Sequence, residues 1–185
     1  MRDAIDEYPQ LQVLSSITNY WDLETHILDL IGPTVKSVGA YSFTEFLIVA
    51  YWKSARQLTS YRQNDGEGRV ARVTQRAFSG DVLDDGKSAA LCKLAGVGVP
   101  VASALLTAWN PDRFSIIDVR ALHTLSAMHE TVDGIWFEHH APQWWKNHYN
   151  LYMQACRSIQ HRVAPLSLRD VDRALWKWSQ FNAAK

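Results

Sequence analysis

The chain is poor in the residues that would place it in several functional classes. It has two cysteines, Cys92 and Cys156, so one chain cannot build a four-cysteine iron-sulfur or zinc centre, and no disulfide framework is suggested. No apolar run approaches the length of a membrane span, and the first residues are acidic where a signal peptide would be basic and then apolar. The expectation is a protein of a reducing cytoplasm with no membrane partner. Net charge is also absent: nineteen Lys and Arg balance nineteen Asp and Glu. That weighs against a nonspecific polyanion binder, whose affinity comes from neutralising phosphates. Repeats, low-complexity tracts and long linkers are missing too.

What is present is an apolar, helix-patterned chain. With 47% hydrophobic residues over 185 positions, it can bury a sizeable core unaided. Charge is uneven: residues 53 to 76 hold Lys53, Arg56, Arg62, Arg69, Arg72 and Arg76 against Asp65 and Glu67. Such a stretch reads equally as a solvated helix face or as a surface for phosphates. Turn signals fall at Gly32-Pro33, Asn64-Asp65-Gly66, Ser79-Gly80, Asn110-Pro111 and Ala164-Pro165.

Between these points the spacing is helical. Ser42 and Glu45 form a capping box, with Tyr41 and Phe46 as its staple, predicting a helix from Phe43 towards Gln57. Trp145, Tyr149, Tyr152, Cys156, Ile159 and Val163 predict one face of a single long helix. Ser167 caps a last helix carrying Val171, Leu175 and Trp178. Almost no strand is expected, and the fold class is all-α. The eight Trp suit core packing better than base stacking, with Trp145, Trp176 and Trp178 on apolar helix faces.

The segment from Asp84 to Met128 carries the chemistry. Asp84 or Asp85 is expected to cap a helix running through Lys93. Leu94-Ala95-Gly96-Val97-Gly98 then makes a glycine turn, and Pro100 suits the first turn of the next helix. At that helix start the N–H groups of Gly96, Gly98 and Val99 are expected to point outward together, an anion site needing no basic side chain. Further on, Asn110-Pro111-Asp112 is a turn, and Phe114 to Ile117 a short extended stretch. Asp118 stands before a helix with Val119, Leu122, Leu125 and Met128 on its apolar face. An Asp in that place is ordinarily only a cap.

This segment resembles the helix-hairpin-helix (HhH-GPD) superfamily of DNA glycosylases. Its signature is Leu-x-Gly-Val-Gly, a helix, a Pro-containing turn and a short apolar stretch ending in the catalytic Asp. The matching residues are Leu94, Gly96, Val97, Gly98, Ala102, Pro111, Phe114, Ile117 and Asp118, within roughly residues 86 to 125. The resemblance implies a two-lobed helical fold, with about 32–115 as the hairpin lobe and about 1–31 plus 116–185 as the second, and Asp118 at the mouth between them. It implies that Leu94, Gly96, Val97, Gly98, Val99 and Pro100 contact double-stranded DNA, and that Asp118 drives release of a flipped base. Tyr51, Trp52, Trp109 and Arg120 are candidates for the pocket or for DNA contact. No metal or required cofactor is implied, although a monovalent cation at the hairpin-phosphate contact fits the resemblance. A nucleoid-associated monomer is expected.

Members that also cleave the backbone carry a lysine two residues after the second hairpin glycine. Here that residue is Pro100, which has no amine, so the implied enzyme is monofunctional. Damaged bases and hypermodified phage bases are both open as substrates. Two other readings stay open: a non-catalytic helix-hairpin-helix DNA-binding protein, and a helical protein-interaction module whose glycine turn is only a corner.

Overall fold

The computed structural model describes residues 20–163 and 167–182. The turn expected at Ala164-Pro165 and the acidic residues Asp3, Asp6 and Glu7 lie outside the described residues. The chain divides into two units, Met1–Asn110 and Pro111–Lys185. Both are helical, and the only strands among the described residues are two of two residues each.

In the first unit, α1 (Tyr20–His26) runs through a π-turn (Ile27–Ile31) into α2 (Gly32–Val38). Gly32-Pro33, expected as a turn, sits inside this continuing helix. Proline lacks an N–H and crowds the carbonyl four residues back. The helix accommodates it by widening, with Gly32 N–H donating to Ile27 O. Gly32 has a second role, because a Cβ there would lie 2.2 Å from the carbonyl oxygen of Ala108. Only glycine permits that approach. Gly39, at φ 78, ends α2 in the left-handed conformation.

Helix α3 (Phe43–Lys53) opens with the expected capping box: Glu45 N–H donates to Ser42 Oγ, and Ser42 N–H to Glu45 Oε2 at 2.8 Å. Tyr41 and Phe46, paired by the sequence as a staple, have other ring partners, Phe78 at 5.9 Å and Tyr61 at 5.7 Å. The helix stops at Ser54, short of Gln57, and continues as a 3₁₀ turn (Ala55–Gln57) and α4 (Leu58–Arg62). At the break Ser54 is extended (φ −155, ψ 88), and its carbonyl accepts from the Gln57 N–H at 3.4 Å and from the Tyr61 hydroxyl at 3.2 Å.

Helix α5 (Arg69–Phe78) and α6 (Asp84–Leu91) pack against each other, and α7 (Val99–Trp109) packs on α3 and α6. Phe46–Ala50 of α3 and Val101–Ala108 of α7 are buried without a break, which makes these two helices the centre of the unit. Asp84 and Asp85 occupy the first turn of α6 rather than its cap, which is Leu83, and α6 ends at Leu91, not at Lys93. Acids in a first turn still complement the helix dipole.

In the second unit a buried extended stretch (Phe114–Ile117) leads into α8 (Val119–Ala127). Strands β1 (Thr131–Val132) and β2 (Ile135–Trp136) pair antiparallel across Asp133-Gly134, both at positive φ. A 3₁₀ turn (Phe137–His139), α9 (Pro142–Asn147), α10 (Tyr149–Arg162) and α11 (Leu168–Asn182) follow. The single helix expected over Trp145–Val163 is therefore two helices. The break is at His148, whose ring stacks on Trp144 at 3.8 Å and bonds the Trp144 carbonyl at 2.8 Å. The same carbonyl also accepts from the His148 N–H at 3.2 Å, and His148 itself leaves the helical conformation (φ −120, ψ 48). Trp145 is buried against Phe137, whereas Trp178 is 39% exposed at the rim of an apolar cleft with Met128 and Val163. Ser167 caps α11 through a box with Asp170, whose carboxyl is lowered chiefly by the Ser167 hydroxyl.

Candidate nucleic-acid interface and catalytic carboxylate

The glycine hairpin joins α6 to α7 and is anchored from below. Leu94 and Val97 are buried. Gly96 has φ 77, and a Cβ there would meet Ser60 Cβ at 2.7 Å and the Tyr61 ring at 2.9 Å. This glycine answers both to backbone conformation and to the close approach of α4. Gly98 differs. It is exposed and extended (φ −96, ψ 175), and a Cβ would touch only Pro100 Cδ, at 3.8 Å. Neither strain nor packing requires glycine at 98.

Two side chains, which sequence reading treats as turn and charge, hold the hairpin in place. Asn64 is buried and clamps Ala95 by both edges, its Oδ1 accepting from Ala95 N–H at 2.8 Å and its Nδ2 donating to Ala95 O at 2.9 Å. Arg69 Nη2 donates to Lys93 O at 3.1 Å. Among the described residues, the N–H groups of Gly96, Gly98 and Val99 have no protein acceptor. Pro100, in the first turn of α7, has no N–H to offer. A helix start with open amides and an exposed glycine beside it is suited to an anion. Replacing Asn64 by Ala leaves both backbone groups of Ala95 without this partner, and a loss of about 2–4 kcal/mol in unfolding free energy is expected. Urea denaturation checks it; an unchanged midpoint would show that the clamp does not hold the turn.

Asp118 is the N-cap of α8, half-buried, with extended backbone (φ −142, ψ 149). Its Oδ1 accepts from Arg120 N–H at 2.9 Å. What places it is the stretch before it. The Tyr149 hydroxyl donates to Ser115 O at 2.7 Å and the Tyr152 hydroxyl to Ile116 O at 2.8 Å, both from α10. Burial holds both phenols well above their usual pKa, so they remain donors. Neither tyrosine stood out in the sequence except as part of an apolar stripe. Their spacing carried no further signal, since the partners are main-chain carbonyls.

The remaining candidates have structural surroundings. Tyr51 and Trp52 are half-buried in the last turn of α3. Trp109 stacks on Phe78 at 4.4 Å and lies 5.6 Å from the Lys87 ammonium, an arrangement that reads as packing. Arg120 is exposed, with its guanidinium 5.1 Å from the Trp176 ring. It belongs to the second unit and the other three to the first, so no single unit gathers all four.

Lys87 is almost fully buried, its Nζ donating to Ala77 O and Ser79 O at 3.0 Å each and thereby closing the end of α5. Cys156 is buried, and burial pushes its thiol up to about 12; Cys92 is raised by the same cause. Neither has the depressed pKa of a nucleophilic cysteine. Among the described residues, no group of three His, Cys, Asp or Glu is placed to hold a metal ion, and no helix is long and apolar enough to cross a membrane. No protein-family model, no curated protein and no solved structure matches this chain.

Proposed function

We propose that this chain is a monofunctional DNA glycosylase that hydrolyses the N-glycosidic bond of a flipped, damaged or modified base and leaves an abasic site. The observation that carries the reading is a helix start where the N–H groups of Gly96, Gly98 and Val99 have no acceptor among the described residues, followed in the chain by one helix and a buried strap that ends in a half-exposed carboxylate. A DNA phosphate suits the first. The second suits the reaction. Departure of a base leaves positive charge on the sugar, and a fixed anion stabilises that charge electrostatically. The same carboxylate can orient the attacking water and accept its proton. The base must leave the stack before Asp118 can act on its sugar.

No lysine occupies the place from which a backbone-cleaving enzyme would attack the sugar. That place holds Pro100, and Lys87 is buried with its ammonium committed to Ala77 and Ser79. The expected products are a free base and an intact strand that breaks only after alkali. A panel of duplexes carrying oxidised, alkylated, deaminated or phage-type modified bases tests the reading, with free base detected by mass spectrometry and borohydride added in parallel. Base release without a borohydride crosslink supports it. Duplex binding without release from any member of the panel would make the chain a DNA-binding protein only, and no binding at low salt would remove DNA altogether. A crosslink lost in Lys93→Ala would move the nucleophile to the exposed lysine of the hairpin.

A further inference from the structure

Helix α5 turns Arg69, Arg72 and Arg76 to solvent and buries Val70, Thr74 and Ala77 on its other side. It contains no acidic residue. Its spacing puts like charges three and four residues apart, where they repel, instead of interleaving signs as a merely solvated helix does. Arg69 and Arg72 donate to main-chain carbonyls, those of Lys93 and Glu67. Among the described residues none of the three reaches a carboxylate.

The stripe also has a direction. Lys87 of α6 reaches the carbonyls of Ala77 and Ser79, so α6 runs back along α5. The exposed acids Asp81 and Asp85 therefore lie at the Phe78 end, and the hairpin at the Arg69 end, which the exposed acids Asp65 and Glu67 precede in the chain. Arg69 bonds the Lys93 carbonyl where the hairpin begins, so the arginine helix and the hairpin with the open amides of Gly96, Gly98 and Val99 are joined within one unit.

We infer that the arginine face of α5 is a phosphate track continuing from the hairpin, along which one strand of duplex DNA lies. At 1.5 Å per residue the stripe spans about 10 Å, the rise of about three nucleotides of a strand. The choice of DNA as the polyanion rests on the glycosylase reading; the track itself rests on charge and placement. It also accounts for how a chain of zero net charge binds a polyanion, by concentrating its cations where the amides are. Arg72 and Arg76 are the residues to test, because Arg69 also braces the hairpin.

The experiment is fluorescence anisotropy with a labelled 20-base-pair duplex, titrated between 50 and 200 mM salt. Wild type is compared with Arg72→Gln/Arg76→Gln and with Lys36→Gln/Lys177→Gln, which changes charge equally at exposed sites off α5. The arginine variant is expected to lose about two units from the slope of log affinity against log salt, and on the order of ten-fold in affinity near physiological salt. The control pair should keep the wild-type slope, and thermal unfolding should show all three proteins folded.

An unchanged slope in the arginine variant overturns the inference, as does an equal loss in the control pair. So does a wild type that fails to bind the duplex. If the slope changes as stated but the wild type releases no base from any duplex, the track stands and the glycosylase reading falls.

Discussion

Replacing Asp118 by Asn is expected to slow base release from bound substrate by about 100- to 1,000-fold, with duplex affinity and fold retained. The size follows from what is removed. The carboxylate has no substitute within its own turn of α8, where Val119 and Arg120 follow it, and an amide carries no charge to set against the developing cation on the sugar. The retention of fold follows from what is kept. Asn still offers an Oδ1 to the Arg120 N–H, the contact now made at 2.9 Å, and it is as good an N-cap as Asp. Single-turnover release with enzyme in excess, beside an anisotropy titration, separates the two quantities. Wild-type rates in Asp118→Asn would remove the residue from the chemistry and leave it a cap.

The two hairpin glycines are expected to fail in opposite ways. Gly96→Ala should cost about 2–5 kcal/mol of stability, the sum of a left-handed backbone and an overpacked contact. The new Cβ would press on Ser60 and on the Tyr61 ring, and that ring cannot retreat, being buried between Phe46 and the Ser54 carbonyl. Gly98→Val should cost about 1 kcal/mol or less, for a poorer N-cap, because its backbone is extended and its Cβ meets only Pro100 Cδ, at 3.8 Å. Duplex affinity should nevertheless fall in Gly98→Val, since its side chain would stand beside the open amides. Urea denaturation and duplex titration of both variants check the contrast. A Gly98→Val protein that binds as tightly as wild type would show that no phosphate approaches there.

What could be read from the sequence was local. The Ser42–Glu45 box, Pro100 in a first turn, Ser167 as a cap and the glycine hairpin each depend on residues within a few positions of one another. The misread points depend on partners elsewhere. At the Ser54 break the carbonyl also receives the Tyr61 hydroxyl, and at the His148 break between α9 and α10 the Trp144 carbonyl also receives the His148 ring. The Gly32-Pro33 pair reads as a turn until Ala108 is seen against it. Asp133-Gly134 is a two-residue hairpin signal set among helical spacings, and its strands are only two residues long.

The same division holds for the candidate residues of each unit. Asp118 and the hairpin follow a spacing that a single sequence displays, whereas Asn64, Lys87, Tyr149 and Tyr152 act on main-chain atoms far along the chain. No pairing of side-chain types announces such contacts.

The strap before Asp118 illustrates what this implies for descent. Its two hydroxyl donors grip peptide carbonyls, which every residue possesses. Ser115 and Ile116 can therefore be exchanged for others of suitable volume over evolutionary time without moving the carboxylate, while loss of either tyrosine would free it. The address of the acid is written in α10 and only its content at position 118, so lineages that have drifted beyond recognition along the strap would still be traceable by a pair of buried phenols three residues apart.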